Sequence, residues 1–324
     1  MGLRDTEVVM KSVNAAFIFP GQGAQKVGMG RDLYDASPAA KAVFEEANEA
    51  LGEDLTQLIF EGPGEALTLT ANTQPSILTV SIAALRALLE KTDMMPKFAA
   101  GHSLGEFSAL TAASAFSFAD AVRITRARGT FMQEAVPAGL GGMAAIMGDI
   151  SMTQLEDICR TASREQSVAP ANINAPNQVV ISGHKEAVER ASDALEALEL
   201  RVIPLQVSAP FHSTLMKPAA EKLGETLNDI EIGDMRIPVV TNVEATPNKD
   251  KNRVKEILVS QVTAPVRWTD SMKTIMDAGV STFIEFGPGN VLAGLMKRID
   301  KSAKVISVNS IAGLEKALVE LEKV

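Results

Sequence analysis

The 324-residue chain holds a single cysteine, Cys159. No internal disulfide, thiolate metal cluster or CxxC redox pair can be assembled from it, and a reducing cytoplasm is the expected setting. Histidine is nearly as scarce. His102, His184 and His212 stand without metal-ligand spacing, so no metal centre is expected. No apolar run reaches membrane-spanning length, because charges or glycines interrupt each one. Residues 1–11, MGLRDTEVVMK, lack the apolar core of a signal peptide and read as a flexible extension. Positive charge is in deficit: the net charge of -9 argues against nucleic acid as a partner, though it leaves room for a local basic patch. Neither repeats nor low-complexity tracts interrupt the chain. What remains is ordinary globular composition, long enough for a sizeable core.

Two glycine patterns in GQGAQKVGMG (21–30) stop short of a nucleotide site. A dinucleotide fingerprint needs glycine where Lys26 stands. A phosphate-binding loop starting at Gly23 needs Lys followed by Ser or Thr where Met29 and Gly30 stand. No cofactor is expected.

Short apolar runs alternate with longer helical patterns. AAFIF (15–19) reads as a buried strand. Residues 37–51 read as a helix with Ser37 as N-cap and Pro38 at its first position. Residues 72–91 are apolar on most faces and read as a buried helix. KFAAG (97–101) is a strand leading into a turn, followed by helices near 104–114 and 118–135. From 142 to 207 the order changes to β-α-β-β-α-β, the split pattern of a ferredoxin-like unit, with strands at GMAAIMG, VAPANI, QVVISG and RVIPLQV (201–207). Alternation then resumes with a helix near 214–228, a strand at 237–242, helices near 252–261 and 268–278, strands at 282–287 and 304–308, and helices after each. The expected fold class is α/β: a mainly parallel sheet with helices on both faces, over 12–138 and 208–324, carrying an inserted ferredoxin-like subdomain at 139–207.

AAGHSLGEFSAL (99–110) holds Gly-x-Ser-x-Gly at Gly101, Ser103 and Gly105. The pattern alone is weak, and a capping serine between two glycines is the plainer reading. The strand-turn-helix setting raises a nucleophile at Ser103 above it, since a helix N-terminus offers unpaired N–H groups beside the serine oxygen. A serine needs a base. His102 is its chain neighbour, and neighbours on a tight turn diverge. His184 opens a helix of the insert and reads as a surface or capping residue. His212 lies in a proline-containing loop where the chain leaves the insert, and loops on a rigid scaffold carry catalytic groups. Residues 213–324 contain no histidine, so the chain order Ser, acid, His of an α/β-hydrolase fits badly and a Ser-His dyad fits better.

On the helix 118–136, Ala121, Thr125, Arg128 and Met132 share one stripe at helical spacing, while Arg123 and Arg126 point elsewhere as solvated charges. An inward guanidinium needs an anion. A structural salt bridge and a pocket for a substrate carboxylate stand equally open, with Met132 as a neighbouring candidate substrate contact.

These residues sit in motifs that resemble the bacterial malonyl-CoA:acyl carrier protein transacylases of type II fatty acid synthesis. The motifs are FPGQGAQ (19–25), GHSLGE (101–106), RGTFMQEAVP (128–137), NAPNQVVISG (174–183), FHSTLMKPA (211–219), QVTAPVRW (261–268) and FGPGNVL (286–292), in family order over most of the chain. The resemblance implies an α/β-hydrolase-like core with a ferredoxin-like insert. It implies Ser103 as acylated nucleophile and His212 as its base, with the backbone amides of Gln22 and Leu104 as oxyanion hole. Arg128 would hold the malonyl carboxylate, and the Gln261 carbonyl would orient His212. Phe211 would crowd an α-methyl group, and Asn174 would line the site. The implied partners are malonyl-CoA and an acidic, phosphopantetheinylated acyl carrier protein, the enzyme itself a monomer. Lys297 and Arg298 are candidate docking residues, with Lys185 and Lys217 behind them. SAPFH (208–212) departs from many members, which have serine before the histidine, and standalone acyltransferases of polyketide synthases share the same motifs. A serine thioesterase and a non-catalytic acyl-binding relative are the rival readings.

Overall fold

The computed structural model describes residues 11–207 and 209–323. The expected extension at 1–11 falls outside them except for Lys11, which already lies in a strand. In chain order the strands are β1 (Lys11–Phe19), β2 (Met94–Gly101), β3 (Gly141–Met147), β4 (Val168–Ala175), β5 (Gln178–His184), β6 (Arg201–Pro204), β7 (Val239–Val240), β8 (Pro247–Asn248), β9 (Thr282–Phe286) and β10 (Lys304–Val308).

Among the described residues they form two sheets. The first has the order β10-β9-β1-β2-β7-β8, parallel from β10 to β7, with β8 antiparallel at one edge. The second has the order β4-β5-β3-β6 and is antiparallel, as a ferredoxin-like unit requires. The fold is the α/β class expected, a hydrolase-like core with a ferredoxin-like insert.

The central strand explains why the first sheet is covered twice. Ala15, Phe17 and Phe19 face one core, and Ala16 and Ile18 face the other, with period two. The first core is capped by the helix Thr70–Leu89, buried on nearly every side. Pro75 inside that helix cannot donate to the Ala71 carbonyl four residues back. Arg126 supplies the missing donor, its Nη1 lying 2.9 Å from that oxygen, and it also bonds Asn72 and Glu53. Arg126 is therefore a half-buried stitch between helices, not the solvated charge its spacing suggested. The insert has its own small core under the helices Met152–Ser163 and Lys185–Glu196. It is sewn to the main sheet's layer at Val266, whose N–H and carbonyl both pair with β4 at 2.8 Å.

Two strands are shorter than their sequence patterns. The apolar run at 237–242 pairs only at Val239–Val240, because the Thr241 N–H closes a turn onto Thr246 and the Asn242 N–H bonds Glu106. The strand at 201–207 ends at Pro204: the Leu205 N–H still bonds the Met143 carbonyl at 2.9 Å, and Leu205, Gln206 and Val207 line a cavity.

Candidate active site

β2 delivers the chain to the C-terminal edge of the parallel sheet, and the helix Gly105–Ala112 carries it away. Between them Ser103 sits in the left-handed region at φ 52°. Both flanking glycines are required by contact. A Cβ on Gly101 would lie 1.8 Å from the Gly105 carbonyl oxygen, and one on Gly105 2.0 Å from that of Phe19. The turn packs backbone on backbone and holds the serine at its tip.

His212 also lies at positive φ, 55°, and is almost wholly buried. Its Nε2 is 2.7 Å from Ser103 Oγ. Its Nδ1 lies 2.9 Å from the Gln261 carbonyl and 3.1 Å from that of Ala264. Carbonyls only accept, so Nδ1 carries the proton and Nε2 presents its lone pair to the serine. Burial first, and the Arg128 charge second, push the imidazole down to about 3, so it is neutral at physiological pH.

Arg128 is 1% exposed. Its Nη1 donates to Gln74 Oε1 at 2.7 Å. Its Nη2 donates to Gln261 Oε1 at 2.9 Å and to Ser103 Oγ at 3.2 Å. Its Nε has no partner, and the guanidinium lies over the Phe107 ring at 5.3 Å. Among the described residues no carboxylate pairs with it directly. The structural salt bridge that spacing allowed is not what this arginine makes. Burial draws its pKa down to about 10, opposed by the Glu106 charge, so it stays a cation beside the nucleophile.

A cavity of about 310 Å³ opens over these groups. Gln22, Leu104, Met132 and Phe211 line it with Ser103, Arg128 and His212, as do Gln74, Met143 and Asn172. Among the described residues neither the Gln22 nor the Leu104 backbone N–H donates a hydrogen bond, while the Gln22 side chain donates to Thr70 Oγ1 at 3.3 Å. Asn174 is not in the lining. It stands behind His102, whose Nε2 lies 2.7 Å from Asn174 Oδ1, and the neighbouring Asn172 takes the wall position. His102 diverges from Ser103 as a turn neighbour should. His184 caps the helix Lys185–Glu196 by position, its Nδ1 accepting from the Ser167 N–H.

The docking candidates lie elsewhere. Lys297 and Arg298 are exposed in the last turn of the helix Val291–Ile299, outside the cavity lining. Lys185 and Lys217 each face an acid one turn on, Glu189 and Glu221.

Three polar residues at the site were not singled out in the sequence. Gln74 sits inside an apolar helix, 1% exposed. Asn242 accepts from the Ser103 N–H at 2.7 Å and donates to the Gly101 carbonyl at 2.6 Å. Glu106, 1% exposed, accepts from Gln261 Nε2 at 2.7 Å and from the Asn242 N–H at 3.2 Å. Buried polar side chains in otherwise apolar stretches were the available signal for the first and third. Asn242, in a turn-rich loop, offered none. Among the described residues no cluster of His, Cys, Asp or Glu could hold a metal ion, and no helix is long and apolar enough to cross a membrane.

Comparison with known proteins places this geometry in context. The model of the acyl transferase domain family matches residues 16–322. The chain is 50% identical over 310 residues to a malonyl CoA-acyl carrier protein transacylase of Bacillus subtilis, covering 95% of this chain and 97% of that one. It is 45% identical to the protein of the same name in Escherichia coli K12, covering 94% and 98%. A solved acyl-carrier-protein S-malonyltransferase of Bartonella henselae superposes with a TM-score of 0.91 at 44% identity, covering 95% and 99%. A malonyl-transacylase solved in complex with a type II polyketide acyl-carrier protein superposes at 0.92 with 45% identity, covering 94% and 99%.

Proposed function

The chain belongs to the acyl transferase domain family, and from that premise we propose that it moves a malonyl group from coenzyme A to the phosphopantetheine thiol of acyl carrier protein. It is an acyltransferase that works through a malonyl-serine intermediate. His212 Nε2 takes the Ser103 proton as Oγ forms a bond to the thioester carbonyl carbon. The backbone N–H groups of Gln22 and Leu104, which have no other acceptor among the described residues, receive the charge on the carbonyl oxygen. The C–S bond breaks, and the His212 proton goes to the departing sulfur. The carrier thiol then repeats the sequence in reverse, giving its proton to His212 and its sulfur to the acyl carbon.

The observation that carries this reading is the buried Arg128 cation, bonded to the nucleophile itself and paired directly with no carboxylate among the described residues. A carboxylate two bonds beyond the acyl carbon satisfies it, and a plain acyl chain leaves it unmatched. The bound carboxylate has a second effect. It offsets the charge that depresses His212, so the base gains basicity when malonyl arrives. The reading places the monomeric chain in the cytoplasm, beside an acidic carrier protein, with residues 139–207 as a structural insert.

Mass spectrometry after brief exposure to malonyl-CoA tests it. One malonyl adduct on Ser103, stable until a thiol is added, is expected. Turnover to free malonate without a thiol would instead make this a thioesterase, and absence of any adduct would make it a binder. In Arg128→Ala, malonyl loading should fall about 10²-fold relative to acetyl loading, the scale of a lost charge-assisted pair.

A further inference from the structure

We infer that Glu106 is a positioning residue for the transfer reaction: its buried carboxylate holds the Gln261 side-chain amide and the Asn242 backbone N–H, and so anchors the two residues whose side chains grip the Ser103 backbone from either side. The inference deepens the transacylase reading and rests on it.

The grip is visible atom by atom. Asn242 Oδ1 accepts from the Ser103 N–H at 2.7 Å, and Gln261 Nε2 donates to the Ser103 carbonyl at 2.9 Å. Ser103 holds a left-handed conformation that a non-glycine residue adopts at a cost, so surrounding bonds must over-determine it. Both gripping residues end on one atom. Glu106 Oε2 accepts from Gln261 Nε2 at 2.7 Å and from the Asn242 N–H at 3.2 Å.

The carboxylate also decides which way the Gln261 amide faces. An oxygen that only accepts forces Nε2 toward Glu106, which leaves Oε1 for Arg128 Nη2 at 2.9 Å. Turned over, the amide would set donor against donor at Arg128 and acceptor against acceptor at Glu106. One buried acid therefore fixes the nucleophile's turn and the aim of the acyl-selecting cation together. A favourable helix-dipole interaction accounts for an acid at the second position of Gly105–Ala112, but not for its burial. Burial pushes its carboxyl up to about 7. Oε2 faces two donors, so a proton on this carboxyl goes to Oε1, and Oε2 accepts both bonds with or without the charge, more weakly without it.

Glu106→Met keeps the bulk and removes the acceptor, and Glu106→Gln keeps an acceptor and removes the charge. Malonylation rate and the malonyl-to-acetyl loading ratio are measured per folded chain, with folding followed by circular dichroism. A displaced reacting group costs about 10²-fold, so Glu106→Met should lose that much kcat with a smaller change in KM, and its loading ratio should fall. Glu106→Gln should recover to within about fivefold, since a neutral acceptor is weaker than a charged one. If Glu106→Met does not fold, Glu106→Asp, one methylene short, is held to the same outcomes. A purely structural role would reduce the folded yield and leave rate and ratio per folded chain at wild-type values, which overturns the inference. A loss in Glu106→Gln equal to that in Glu106→Met also overturns it. Failure of the wild-type chain to form the malonyl adduct is a different result, and removes the transacylase reading instead.

Discussion

Arg128 is placed so that its charge governs what His212 does. The arginine's charge, added to burial, holds the imidazole near 3. In free enzyme the base is therefore competent far below the usual histidine range, and kcat/KM for malonyl-CoA should show no acid limb near 6.5. Once a substrate carboxylate pairs with Arg128, the depressing charge is offset. The acid limb of kcat should then lie at higher pH than that of kcat/KM with malonyl-CoA, and the two should coincide with acetyl-CoA. Steady-state pH profiles with both thioesters check this. Glu106 adds a stability term of opposite sign to that of His212. Its folded pKa is raised from 4.5 to about 7, so the stability it contributes is full below 4.5 and lost as pH rises through 7. His212, depressed from 6.5, contributes a term that grows with pH between 3 and 6.5. Between 4.5 and 6.5 the two slopes oppose. Removing one exposes the other, so Glu106→Gln should gain stability relative to wild type as pH is raised from 4.5 to 7, read from urea midpoints.

At the scale of elements, the nucleophile turn is held by backbone packed on backbone. Gly105→Ala brings a Cβ to 2.0 Å from the Phe19 carbonyl, which no rotamer relieves. A loss of about 3 kcal/mol is expected, at the upper end for overpacking, read as a lowered Tm together with lost acylation. The elements were largely legible in the sequence because their signals are local. Ser37 caps the helix Pro38–Leu51 and Ser151 the helix Met152–Ser163, each accepting from the amide three residues on. The β-α-β-β-α-β order of the insert followed from alternating patterns. The failures were non-local. Nothing in residues 237–242 announces that the Asn242 N–H is claimed by Glu106, so the strand read too long. Nothing near Arg126 announces that Pro75 has left a carbonyl free for it. The same division holds at the site. Ser103, His212 and Arg128 each stood out by motif, loop position or inward stripe. Glu106 and Asn242 act only through bonds to residues more than a hundred positions away.

At the scale of the whole molecule, insert and core are bonded to each other behind His102, at the back of the site. Val266 exchanges both backbone bonds with β4, Thr269 Oγ1 donates to the Ile173 carbonyl at 3.1 Å, and His102 meets Asn174 across the same seam. Trp268, the only tryptophan, is fully buried there with its ring 5.6 Å from that of His102. A seam of that kind predicts one cooperative unfolding unit. Tryptophan fluorescence, which reports the seam, and far-ultraviolet circular dichroism, which reports all helices, should trace coincident urea transitions. Separate transitions would show the insert melting alone. The sheet order has a consequence for the chain as it is made. β1, near the start, is flanked by β2 on one side and by β9 on the other, with Ala15 to Ile18 paired to Thr282 to Glu285. Until the ribosome has released β9, the buried apolar run Ala15–Phe19 of this central strand carries an open edge, a template for pairing with other chains. Over the same interval the nascent chain is chemically silent, because the carbonyls that set His212 to work, at Gln261 and Ala264, are themselves late arrivals. Birth order thus makes this a chain that needs guarding until β9 is made, and one that cannot capture an acyl group before Gln261 and Ala264 have joined His212.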